Sequence, residues 1–218
     1  MAFTLSNGMS VAVAKTYEAK LNFSAASNEP VCELTVVGST IVAGDWVEVT
    51  APGWGRINGR VVRAAPGTTA TSLLLEGINT SDTELYPAGL VGAGSVRKIA
   101  AWSEITQVKS VATTGGEQQF ADATDINDVT AKQIPTIRSA MSMTLTLLDD
   151  PTLSFYADVT KADESRSPYA VRFVFANKSA MGGNAYWSLK RVPNVTANEV
   201  MTGEIVLSFS SDPIRYAS

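Results

Sequence analysis

The chain's nearest approach to a catalytic pair is Asp149-Asp150, two adjacent carboxylates of the kind that divide acid and base roles. Their setting points elsewhere. Asp150 precedes Pro151, and Phe155, Val159 and Ala162 follow at helical spacing with Tyr156 beside them, so the pair reads as a helix start. On this reading Asp150 is the N-cap and Pro151 the first helical residue. Two G-x-G tripeptides, Gly53-Trp54-Gly55 and Gly92-Ala93-Gly94, invite comparison with a phosphate cradle. That cradle needs G-x-G-x-x-G between a strand and a helix N-terminus, whereas Gly55 leads into strand-like residues and Gly94 into Ser95-Val96-Arg97. Both are read as turns. The sequence has no histidine and one cysteine, Cys32. Ser-His-Asp and Cys-His sites, His-ligated zinc, CxxC redox pairs and an intrachain disulfide are thereby removed. The expectation is a non-enzyme with no catalytic, metal or cofactor residues.

The elements that would position any site follow from composition and patterning. At 218 residues, 45% hydrophobic and 17% charged, the chain has room for one full domain and a smaller one. A net charge of -4 and the absence of a Lys/Arg cluster argue against tight nucleic-acid binding, because affinity for phosphate requires clustered cations. The N-terminus lacks the basic flank and apolar run of a signal peptide, and no apolar run approaches the ~18 residues that span a bilayer. A soluble chain made in a cytoplasm, without membrane binding, is expected.

Val11, Val13, Lys15 and Tyr17 alternate with Ala12 and Ala14, which fits an edge-like strand. Residues 31–99 hold five short β-rich runs, at 31–37, 46–50, 56–64, 71–76 and 96–99, enough for a small barrel or sandwich. Within it Asn58-Gly59 is a type I′ turn signal. Residues 102–113 and 132–148 read as an extended antiparallel hairpin around a loop at 115–128. In its second strand Ile137, Ser139, Met141, Met143, Leu145 and Leu147 share the core face, and Thr136, Arg138, Ala140, Ser142, Thr144 and Thr146 the other. The helix stops before Pro168. Strands follow at 171–176, 185–192 and 200–209, with Met201, Ile205, Leu207 and Phe209 on one face and Gly182-Gly183-Asn184 turning the chain between the first two. The class is mainly β with one helix.

The hairpin loop holds Glu117, Asp122, Asp125 and Asp128 with no base among them, together with an isolated Phe120. Taken alone it reads as a solvated tip. Arg56, Arg60, Arg63 and Arg97-Lys98 are the bases that could receive it. The first ten residues and residues 212–218 are further candidates for contacts between chains. There Arg215 and Tyr216 are residue types that interfaces favour, although Tyr216 packing in its own sheet is equally open. Arg138 points away from the core with no acid beside it, and Glu104 is the nearest candidate partner in the first strand.

Five signatures occur in order: 101-AWSEITQV-108, 115-GGEQQF-120, 133-QIPT-136, 149-DDP-151 and the ending 213-PIRY-216. Together they resemble the major tail tube proteins of long-tailed, non-contractile bacteriophages. The resemblance implies a tail-tube β-sandwich over residues 1–30 and 99–218, with a flanking helix and a long inner-barrel hairpin, and an inserted small β-barrel or sandwich at 31–98. It implies a structural virion protein of the phage tail, assembled in the host cytoplasm as hexameric rings that stack into a hollow tube conducting the genome. Glu117, Phe120, Asp122, Asp125 and Asp128 then contact the adjacent ring; Thr136, Arg138, Ser142, Thr144 and Thr146 face the lumen; and Arg215 and Tyr216 lie between subunits. The implied partners are further copies of the chain, the tail tip, terminator and tape measure proteins of the same phage, and DNA in transient, non-specific passage. The alternative is a capsid decoration protein or another β-sandwich binding module, such as one for carbohydrate. A sugar-binding face needs an aromatic platform, however, and Trp46, Trp54, Trp102 and Trp187 are scattered over different segments.

Overall fold

Short runs of β-branched and aromatic residues, broken by Gly, Pro and Asn, become the strands of a mainly β protein. The computed structural model describes residues 8–89 and 94–217. Residues 1–7 of the N-terminal candidate segment, Gly92-Ala93 of the second G-x-G and Ser218 lie outside the described residues.

The strands are β1 (Ser10–Tyr17), β2 (Leu21–Ala26), β3 (Cys32–Val36), β4 (Trp46–Thr50), β5 (Arg60–Arg63), β6 (Ser72–Leu75), β7 (Gly94–Ile105), β8 (Val108–Thr114), β9 (Gln118–Asp122), β10 (Gln133–Arg138) and β11 (Ser142–Leu148). Helix α1 (Ser154–Ser165) follows, then β12 (Tyr169–Val174), β13 (Ala180–Leu189), β14 (Thr202–Phe209) and β15 (Ile214–Tyr216). One 13-stranded sheet runs β6-β3-β2-β7-β1-β12-β13-β14-β11-β8, with β4, β5 and β15 joined beside that path; β9 and β10 form a separate pair.

Three apolar clusters organise this sheet. Phe23, Leu34, Val47, Val49, Trp54, Leu73 and Leu75 fill one, among strands β2 to β6. Ile105 of β7 and Met143, Leu145 and Leu147 of β11 meet Phe155, Val159 and Ala162 of α1 in a second. Strands far apart in the pairing order thus share one core with the helix, which itself lies against β13, β7 and β1. Ala14, Trp46, Val61, Ala170, Ala180 and Tyr216 form the third, which joins the other two layers.

Several expectations change here. β1 is not an edge: it pairs with β7 on one side and β12 on the other, and both its faces are covered. Val11 and Val13 face the helix-side core while Ala14 lies in the joining cluster, so the small alanines mark close packing and not exposure. Asn58-Gly59 closes no two-residue hairpin. It ends a longer connection from β4 to β5 in which Trp54 and Ile57 are buried, and Asn58 Oδ1 accepts from the Ala51 amide at 3.0 Å. Asp150 is not the N-cap. Its Oδ1 accepts from the Thr152 amide (3.0 Å) and hydroxyl (2.6 Å) in a turn that precedes the helix, whose N-cap is Leu153. The helix does bury Phe155, Val159 and Ala162, and it ends before Pro168 at Arg166, in the left-handed region. Met201 lies exposed just ahead of β14, off the buried face that Ile205, Leu207 and Phe209 share.

Gly182-Gly183-Asn184 lies inside β13, and the chain turns instead near Asn177-Lys178, with Lys178 at φ 62°. The glycines serve close approach. A Cβ at Gly182 would come within 2.2 Å of Trp46 Cζ3, so only a bare Cα leaves room for that indole. Gly182→Ala should therefore destabilise the chain by roughly 1–3 kcal/mol through overpacking. Thermal melting checks this, and Trp46→Leu in the same chain should recover part of the loss.

The joining layer is also hydrogen-bonded. Asn184, 1% exposed, donates through Nδ2 to Glu48 Oε1 at 3.0 Å and to the Gly59 carbonyl at 3.3 Å. The same Glu48 holds Arg97 at 2.5 Å. Trp46 packs edge-on against both Trp102 and Tyr216.

Candidate assembly surface

The hairpin expected from the sequence is present, in two stages. β8 pairs with β11 from Val108↔Leu147 to Thr114↔Ser142, and β9 pairs with β10 from Gln118↔Arg138 to Asp122↔Gln133. Gly115 and Gly116, at φ 79° and 83°, bend the first strand between the stages, and a Cβ on Gly115 would lie 2.0 Å from the Ala140 carbonyl oxygen. The outer stage is an arm with no core of its own.

Side-chain burial follows from this division. In β11 Met143, Leu145 and Leu147 are buried while Ser142, Thr144 and Thr146 are part-exposed, as alternation requires. The expected core face does not continue outward: every residue of β10 is exposed, including Ile137 at 79%. Thr136 and Arg138 thus stand on the arm, separated by the bend at 139–141 from the sheet that carries Ser142, Thr144 and Thr146.

The loop residues are shorter-ranged than expected. Glu117 opens the arm and Phe120 lies within β9 opposite Pro135, so the tip proper spans residues 123–132. Asp122 Oδ1 accepts from the Thr124 amide (2.9 Å) and hydroxyl (2.6 Å). Asp128 accepts from the Asp125 amide at 2.9 Å and pairs with Lys132, so the acids are not all uncompensated. The Thr124 hydroxyl holds the Asp122 carboxyl below the usual carboxylate range, and Lys132 does the same for Asp128. The contribution of each to tip closure is full above the ordinary range near ~4 and is lost as pH falls through the lower folded values. Protection of the Thr124 and Asp125 amides, taken as exchange relative to the intrinsic rate at each pH, should fall on acidification below that point and stay constant between pH 6 and 8.

What the sequence reading missed is the apolar content of the arm. Ile126 is 96% and Val129 102% exposed, and Phe120, Ile134 and Ile137 are exposed with them. The signal was legible in 125-DINDV-129, where two β-branched aliphatics sit among acids. Lone exposed aliphatics are ordinary, but several on one projecting hairpin form a surface of the kind that partners cover.

The bases offered as receivers of the acids are mostly committed within the chain. Arg63 holds Glu76 through two bonds of 2.5 and 2.6 Å, Arg60 lies 3.4 Å from Asp212, Arg97 binds Glu48, and Lys98 binds Asp45 at 2.6 Å. Arg56 makes no ion pair among the described residues. Glu104 is not placed to meet Arg138. It shares a face with Arg172 across Ala12 of β1, while Arg138 stands on the arm. Tyr216 is 4% exposed inside its own chain, where its hydroxyl accepts from the Arg63 amide at 2.9 Å, the packing role left open for it. Arg215 is exposed beside it, its guanidinium 4.6 Å from the centre of the Phe175 ring.

Two further features belong to this surface. Among the described residues β8 pairs only with β11, which leaves its outer main-chain groups as a sheet edge. The solvent face of β8, β11, β14 and β13 carries rows such as Ala112–Thr144–Val206–Ser188 and Thr114–Ser142–Ser208–Tyr186. Charge enters it at one end, where Lys190 lies 3.4 Å from Glu204. Trp46, Trp54 and Trp187 are buried, which leaves no indole platform among them. Among the described residues no three His, Cys, Asp or Glu side chains gather to hold a metal, and no helix is long and apolar enough to cross a membrane.

A family model described as phage tail tube protein matches residues 52–218. The chain belongs to the phage tail tube protein family. The match covers more than half of the sequence and extends into the strands before β7. Tail tube membership makes this a structural protein of the virion tail and implies assembly into an oligomeric tube with other tail proteins. A structural family of this kind points away from catalysis. Among solved structures, a chain of the cryo-EM structure of the anti-feeding prophage baseplate, 6-fold symmetrised, is similar at 10% identity and a TM-score of 0.40, over 55% of this chain and 86% of that one. No curated protein matches the sequence.

Proposed function

We propose that six copies of this chain form a ring, and that the rings stack into the hollow tube of a non-contractile phage tail through which the genome passes. The observation that carries this reading is the projecting β9–β10 arm. Its apolar side chains are exposed, with no cover among the described residues, and a second copy supplies it. The unpaired edge at β8 supports ring closure, because joining neighbouring sheets into a closed barrel removes edges that would otherwise invite aggregation. Residues 31–98 are an inserted module fixed to the tube domain of 1–30 and 99–218 through the Glu48–Asn184–Gly59 bonds, with β2 contributing Phe23 to the module's core. The arm residues Glu117, Phe120, Asp122, Asp125 and Asp128 serve contact between rings, and exposed Arg215 serves contact within one. Tail tip, terminator and tape measure proteins meet the tube at its ends and in its bore.

In this reading Ser142, Thr144 and Thr146, with the neutral rows around them, line the lumen. A conduit must pass a polyanion without gripping it, and each phosphate neutralised by a cation adds salt-dependent affinity. Assembled tubes should therefore show no measurable retention of duplex DNA at physiological salt in a co-sedimentation assay. Tight, salt-sensitive retention of duplex DNA by the assembled tubes would contradict a passive channel.

A further inference from the structure

The hairpin is apolar at both ends. At the end opposite the arm, Gln107 at φ 60° separates β8 from β7, and its carbonyl accepts from the Leu148 amide at 3.1 Å. The Asp149 amide donates to the Met201 carbonyl at 3.0 Å and draws the following loop alongside. The result is an open cleft of about 510 Å³ lined by Gln107, Val108, Lys109, Leu148, Glu199 and Val200. Val200 is 70% exposed, and Val192 and Val195 of the same connection between β13 and β14 are exposed as well.

We propose that this cleft receives the arm tip of a second copy of the chain, seating Ile126 and Val129 against Val108, Leu148 and Val200. This rests on the reading of the arm as the contact between rings and adds the receiving site. Tip and cleft lie at opposite ends of one hairpin, so copies displaced along its axis bring one tip to the next cleft. That is a head-to-tail contact, which does not close on itself and so propagates into a stack. Charge agrees with it. Lys109 and Glu199 make no ion pair among the described residues, and neither does Asp125 of the tip. Docking offers Asp125 to Lys109, and Lys132, which holds Asp128 in the single chain, is the tip cation available to Glu199.

Cross-linking tests the pairing. A chain carrying Ile126→Cys and Val200→Cys should give a covalent ladder of many copies when oxidised after assembly, while either single variant should stop at dimers; native Cys32 is buried and does not compete. Val200→Asp should raise the concentration needed for polymerisation at least tenfold with an unchanged thermal melt, because the residue is exposed in a loop. If Ile126→Asp/Val129→Asp blocks polymerisation but Val200→Asp assembles like the parent and no ladder forms, the arm stacks the rings through some other receiver and this site is wrong. If the Ile126→Asp/Val129→Asp chain polymerises normally, the stacking role of the arm fails, and the cleft proposal with it.

Discussion

Leu145→Asp should leave no folded protein, whereas Thr144→Asp, one residue earlier on the same strand, should be nearly silent in the single chain. Leu145 is fully buried in the apolar cluster that also holds Phe155, Val159 and Ala162 of α1, and a carboxylate there would lose its water with no cation among the apolar residues around it. Even Leu145→Ala should cost ~2–5 kcal/mol, a large share of the ~5–15 kcal/mol that holds a typical domain together. Thr144 points to the opposite, part-exposed face, beside Ala112 and Val206, where substitutions cost about 0.5 kcal/mol or less. Denaturant melting of Leu145→Ala and Thr144→Asp measures the contrast directly. Equal losses, or a larger loss at Thr144, would mean that the register of β11 is inverted, since a slip of one residue exchanges its two faces.

Excising the arm should separate folding from assembly. With residues 117–138 replaced by a short turn, the Thr114↔Ser142 end of β8–β11 still closes the sheet, and every described residue removed is either exposed or contributes to no core cluster. The shortened chain should melt within a few degrees of the parent. Its capacity to form long polymers should vanish, because the surface proposed to join rings has gone. Sedimentation at matched concentrations reads the difference. Unchanged polymers would relocate the stacking contact to the body of the subunit.

The two hairpin strands were legible because alternation in 142–148 is strict and the buried face is apolar throughout. Alternation alone did not show where burial ends: Ile137 continues the pattern but has no opposing layer, since the bend at Gly115-Gly116 and 139–141 carries the arm off the sheet. Gly182 and Gly183 misled for a related reason. In a sequence glycine pairs signal turns, and only the Trp46 ring packed against Gly182 shows that the requirement was space and not a reversal. β1 was mistaken for an edge because its alanines look weakly hydrophobic, whereas small side chains are what a strand needs when it is covered on both faces. The five tail tube signatures were readable in order. The apolar character of the arm is written in 125-DINDV-129 as well, but the acids around Ile126 and Val129 dominate that segment and draw attention from it.

The central claim is that this chain builds a stacked, hollow tube, and electron microscopy of the purified full-length protein at rising concentration tests it most directly. Six-fold rings that stack end to end around an open bore are the expected result. The axial repeat should be no longer than about 60 Å, the fully extended reach of the hairpin from Val108 to Ile126 at the tip at ~3.3 Å per residue. Single subunits at every concentration, or closed dimers that grow no further, would contradict it.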